Sequence, residues 1–178
     1  MSEKTDVYGR VKDQMRLSER IEDFIPGFRG YKEKELRRES DRLIRNHLYL
    51  KLTDAKDALR QISQKLADRR YFDVIVDVDR LLAKMDRITE KVNHASYGYT
   101  GFFDAVKVKE QNLDRMIDFD NQLVNEINAL AAEVDDFRAD LASGTTTNLK
   151  PHVQSVTDKV ESLEATFDKR HEVILGVT

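Results

Sequence analysis

Nine positions, Leu113, Met116, Asp120, Leu123, Ile127, Leu130, Val134, Phe137 and Leu141, follow one another in alternating steps of three and four. A stripe this regular is the pattern of an amphipathic helix laid along a partner, because residues three and four apart share a face. Eight of the nine are apolar, and Asp120 is the one polar member. A carboxylate in that setting must be protonated or find a partner, since desolvating an unpaired charge costs several kcal/mol.

The rest of the chain repeats the theme. Charged residues make up 35% and hydrophobic residues 40%, with only two prolines and seven glycines in 178 residues. Long amphipathic helices suit that balance better than a sheet does. From about Tyr31 to Arg70 there is neither proline nor glycine, and Leu52, Ala55, Leu59, Ile62 and Leu66 form a second three-four seam. Upstream, Leu36, Ser40, Leu43 and His47 continue it. Unbroken, this helix would be about 60 Å long. Val74, Val78, Leu81, Met85, Ile88, Val92 and Ala95 mark another helix after a turn at Tyr71-Phe72-Asp73, although the β-branched alternation of Val74 to Asp79 also fits a short strand. A first helix is expected over about Asp6 to Ile25. A last one carries Val153, Val156, Val160, Leu163 and Phe167, with Pro151 in its first turn. Ser143 to Asn148 is a loop by composition.

The expectation is therefore an all-α chain: one elongated antiparallel bundle over 1–178, coiled-coil-like, of about five helices. Its core is expected over about 25–142, with the first and last helices peripheral. Two breaks interrupt the helices with glycines and aromatic rings: Ile25-Pro26-Gly27-Phe28-Arg29-Gly30-Tyr31 and the longer Tyr97-Gly98-Tyr99-Thr100-Gly101-Phe102-Phe103-Asp104-Ala105-Val106-Lys107-Val108. Aromatic residues at this density argue for an ordered loop. Short connections make successive helices antiparallel, which sends both breaks to one end of the bundle and the Tyr71 turn and the Ser143 loop to the other.

Charge narrows the function classes. The formal net charge of −3 gives no general reason to expect nucleic acid. It hides a polarity: residues 29–70 hold 13 Lys/Arg and 7 Asp/Glu, and residues 110–142 hold 2 and 9. Opposite fields favour adjacency of the helices that carry them. The absence of cysteine excludes disulfides, thiolate ligands and thiol nucleophiles. No apolar run approaches the roughly 20 residues that span a bilayer, and the N-terminus lacks the apolar core of a secretory signal, so a cytoplasmic location is expected.

Candidate chemistry is sparse. Asp120 could act as a general acid or base, or fix helix register; His47, Arg37 or a tyrosine of the second break could pair with it. Lys34, Arg38, Arg42 and Arg45 make a basic ribbon opposite the Leu36 to His47 stripe, suited to an acidic protein surface or anionic lipid, or else simply solvated. Phe28, Arg29, Tyr31, Tyr97, Tyr99, Phe102, Phe103 and Asp104 give the shared pole either a binding surface or an aromatic cap. The two Gly-x-x-Gly breaks lack the sheet context of a KH clamp and the lysine of a phosphate loop. The histidines His47, His94, His152 and His171 are scattered, and the Glu90/His94 and Asp73/Asp77 pairs are weak as metal sites. No catalytic residue, cofactor or metal site is assigned.

The two breaks together, with Lys32-Glu33-Lys34-Glu35-Leu36-Arg37-Arg38 after the first, resemble a family of uncharacterised prokaryotic helical proteins that carry both signatures. The similarity covers about Ile25 to Leu141. It implies a helical-bundle fold and gives weight to both breaks, and it implies no activity; the family is associated with membrane-linked gene neighbourhoods. The function expected is a non-enzymatic interaction or scaffold protein that docks a protein partner, or a second copy, through the aromatic pole or the basic face. A small-molecule site or enzyme at the same pole is the alternative, and attachment to a membrane surface a further one.

Overall fold

The computed structural model describes residues 19, 21–26, 34–95 and 110–175. Four long helices account for most of them: α1 (Lys34–Asp68), α2 (Phe72–His94), α3 (Glu110–Ser143) and α4 (Leu149–Leu175). Residues 21–24 are also helical and end at a bend at Ile25 and a turn at Pro26, as the Pro-Gly break predicts. Among the described residues there is no strand, so Val74 to Asp79 is helix. Packing of that segment's inward side decides the matter: Val74, Val78, Leu81 and Met85 recur at helical spacing and are all buried.

The four helices form a ring in which α1 packs beside α2 and α3, and α4 beside α3 and α2. Helices joined by short turns, α1 with α2 and α3 with α4, are antiparallel. Across α3 and α4 the partners confirm the direction, falling along α4 as they rise along α3: Asp120 with Arg170, Glu126 with Ser162, Asp140 with His152. The remaining neighbours run parallel. Lys84–Glu161, Arg87–Glu164 and Lys91–Asp168 each join residues 77 apart, which fixes α2 and α4 in one parallel register. The Arg69 guanidinium donates to the Leu141 carbonyl, bringing the C-terminal ends of α1 and α3 together. The ends of α1 at Lys34, α2 at His94, α3 at Glu110 and α4 at Leu175 accordingly share one pole, and the two tight turns share the other. The basic α1 and acidic α3 are adjacent, as their opposite charge suggests.

Both turns are built alike. After α1, the Tyr71 N–H donates to the Leu66 carbonyl at 2.9 Å and Arg70 N–H to Ala67 at 3.0 Å; after α3, Thr145 N–H donates to Asp140 at 3.0 Å and Gly144 N–H to Leu141 at 3.4 Å. This is the paired closure of a Schellman motif, which requires a left-handed residue just past the helix. Gly144 takes it with φ 82°, and Arg70 with φ 63°. Only the first is a residue without a steric cost in that conformation.

The core runs the length of the ring. Leu52, Leu59, Ile62 and Leu66 of α1 meet Leu123, Ile127, Leu130, Val134 and Phe137 of α3, with α2 and α4 closing the other sides. The last helix is no peripheral addition: Val153, Val156, Val160, Leu163 and Phe167 are all in this core. Ile21 and Ile25, before α1, are buried in it too. In the first half of α1 the buried row is Ser40, Ile44 and Leu48, whereas Leu43 and His47 lie half-buried at its edge. The expected stripe is thus rotated by one residue there, because Ile44 and Leu48 bring apolar side chains to the core that His47 could offer only by burying a polar ring.

Candidate functional site

Asp120 is fully buried, and its partner is Arg170. The Arg170 Nε donates to Asp120 Oδ1 at 2.5 Å, with side-chain exposures of 1% and 0% for arginine and aspartate. Charge-assisted contacts of this kind are short, and the guanidinium is the cation best suited to burial because it cannot be deprotonated. Arg170 makes this bond where His47 is one expected partner, which corrects that expectation; the Arg37 side chain and the tyrosines of the second break lie outside the described residues. Arg170 lies fifty residues away, on the last helix. It completes the α4 stripe, three residues after Phe167, where an arginine reads as surface.

His47 lies on α1. It does not serve as the expected buried polar partner: it is half-buried, and its buried Nε2 has no hydrogen-bond partner among the described residues. Burial first, and the neighbouring Lys51 ammonium second, hold its imidazole below the usual histidine range.

Of the other sequence candidates, Phe28, Arg29, Tyr31, Tyr97, Tyr99, Phe102, Phe103 and Asp104 lie outside the described residues. In the basic ribbon, Lys34 and Arg38 are on α1 with side chains outside the described set, Arg42 is exposed and Arg45 half-exposed. His94 does contact Glu90, at 3.1 Å on an exposed face. Asp77 pairs with Arg80. Among the described residues no three metal-ligating side chains cluster, and no helix is long and apolar enough to cross a membrane.

The pole with the two turns holds two features that sequence reasoning did not single out. The first is a clasp around His152, in the first turn of α4. Its Nδ1 lies 2.8 Å from Glu133 Oε1 and its Nε2 3.1 Å from Asp140 Oδ2, while the ring stacks on Phe137 with centroids 5.3 Å apart and planes 14° from parallel. Burial works against the charged ring, but the bonds to Glu133 and Asp140 outweigh it and raise the imidazole above its usual range. Glu133, although partly desolvated, is held below the usual carboxylate range by His152 and by a bond to Ser155. Asp140 is lowered by His152 and by Asn148. A signal was present in the sequence: Glu133, Phe137 and Asp140 occupy one face of α3 at steps of four and three. Nothing local says that His152 stands opposite them.

The second is a cleft of about 490 Å³ between the starts of α2 and α4, lined by Arg70, Tyr71, Phe72, Val74, Leu149 and Lys150 among others. Phe72 stands on its lip, 64% exposed, and Val76 one turn along the same face is 51% exposed. Asp73, Thr146 and Thr147 complete the wall.

Fold and sites together define an all-α helical bundle, whose described residues include four long helices, with a buried ion pair toward one pole and an apolar-lipped cleft at the other. No family model matches the chain, and no curated protein or solved structure is significantly similar to it.

Proposed function

We propose that this chain is a non-enzymatic helical interaction protein that works in the cytoplasm and docks a protein partner. The observation that carries the reading is the pair Phe72, which lines the cleft, and Val76, exposed one helical turn further along α2. Each leaves apolar surface in water that a docked chain would cover, at about 25 cal/mol per Å² buried. Asp120, the side chain best placed in sequence for acid or base chemistry, is engaged with Arg170 in a sealed pair, which suits a role in holding the bundle. The cleft lip, at the pole of the two tight turns, is proposed as a docking surface beside the aromatic breaks and the basic ribbon that the sequence singles out.

A photo-crosslinking side chain placed at Phe72 in cells tests this reading. The expected result is one dominant adduct, with another protein or a second copy, that disappears when Val76→Ser is added while thermal stability stays unchanged. A spread of weak adducts indifferent to Val76→Ser would remove the docking claim for this face.

A further inference from the structure

We propose that His152 is a proton-dependent clasp: as the imidazolium it ties the first turn of α4 to α3 at two points, and loss of one ring proton loosens that end of the bundle and one wall of the cleft. The geometry requires two donors. Both ring nitrogens face carboxylate oxygens, Glu133 at 2.8 Å and Asp140 at 3.1 Å. A neutral imidazole carries a single N–H, so in either tautomer one carboxylate faces a lone pair. The ring cannot turn aside cheaply, because it is stacked on Phe137.

Asp140 transmits the change. Its carboxylate also accepts from Asn148 Nδ2 at 3.1 Å, and its backbone carbonyl accepts from Thr145 N–H and Ser143 Oγ. It is therefore the hub of the α3–α4 turn, and the cleft-lining Thr146, Thr147 and Leu149 follow directly in the chain. The charged groups around the clasp are few. α3 contributes Glu133 and Asp140. Lys159 of α4 acts on Glu133. From the end of α1, Arg69 reaches the Leu141 carbonyl beside Asp140. At the start of α2, Arg70 and Asp73 stand across the cleft from Lys150. The direction is consistent with this arrangement, since the bonds to Glu133 and Asp140 hold the folded imidazole above the ordinary histidine range. Stability from the clasp is then fully present below about 6.5 and is lost as pH rises through the folded value.

A pH titration of the His152 ring by NMR in the full chain, combined with amide exchange, tests the clasp. The ring midpoint is expected above 6.5. Amides from Thr145 to Val153 are expected to exchange about tenfold faster, beyond the intrinsic pH effect, on passing from one unit below the midpoint to one unit above, while Leu52 to Leu59 show no excess. His152→Gln should abolish that excess, and Asp140→Asn, a milder change, should lower the midpoint and shrink it. A midpoint at or below 6.5, the same excess in His152→Gln, or none in the native chain would overturn the proposal.

Discussion

Arg170 closes on Asp120 at 2.5 Å in the interior between α3 and α4, and the two are the most deeply buried opposite charges in the described part of the molecule. Removing one partner strands the other. Asp120→Ala or Arg170→Ala is expected to lower the unfolding free energy by about 3–5 kcal/mol, whereas the double apolar replacement Asp120→Leu with Arg170→Met recovers most of it. Urea unfolding of the two single variants and the double variant gives the coupling energy directly. Single losses below 1 kcal/mol would show that the pair is not sealed.

The two turns share a left-handed position but fill it with different residues. Arg70 holds φ 63° where the equivalent residue of the other turn is Gly144. Arg70→Gly is expected to stabilise by about 0.5–1 kcal/mol, and Gly144→Ala to destabilise by about 1 kcal/mol despite open space around its Cβ. Denaturation midpoints at constant slope measure both. A destabilised Arg70→Gly would mean that the side chain's own contacts outweigh the backbone cost.

Lys84, Arg87 and Lys91 face Glu161, Glu164 and Asp168 in parallel register. Glu164 resists burial but is lowered by Arg87 and Lys91, so its contribution is present above about 4.5 and fades as pH falls through its folded value. Most of these groups are exposed enough for each bridge to contribute only about 0.2–1 kcal/mol. Reversing one rung, Lys91→Glu, should cost stability at low salt and lose most of that cost in 1 M salt. Adding Asp168→Lys should restore part of the loss, and a restoration absent at every salt concentration would place the register elsewhere.

His47 is the opposite case to His152. Its imidazole is lowered by burial and Lys51, so the stability linked to it is present above about 6.5 and is lost as pH falls through the folded value. His47→Leu is expected to flatten the stability profile between about pH 7 and 5 and to add up to about 1 kcal/mol, because it removes a buried nitrogen with no described partner. Calorimetry across that range is the check, and an unchanged slope would refute it.

How far the sequence reached depends on the range of the interaction. The stripes of α2, α3 and α4, and the lower half of α1, were legible because 3.6-residue periodicity is a property of ten or so neighbouring residues. Where Ser40, Leu43 and His47 competed with Ile44 and Leu48, the pattern allowed two faces one residue apart, and only burial chose. Phe72, exposed at the cleft, falls in a segment whose residues mark only a turn.

By itself, then, the sequence determined a chain of long amphipathic helices, about five in number, the burial of Asp120 and the opposite charge of α1 and α3. Each follows from spacing and composition along the chain. Tertiary structure decided that α2 and α4 run parallel, that Arg170 rather than His47 reaches Asp120, and that His152 lies between Glu133 and Asp140. Those facts rest on register between helices, which is set by how whole faces interlock. Residues fifty or more positions apart carry no mark in the sequence of which level they will share.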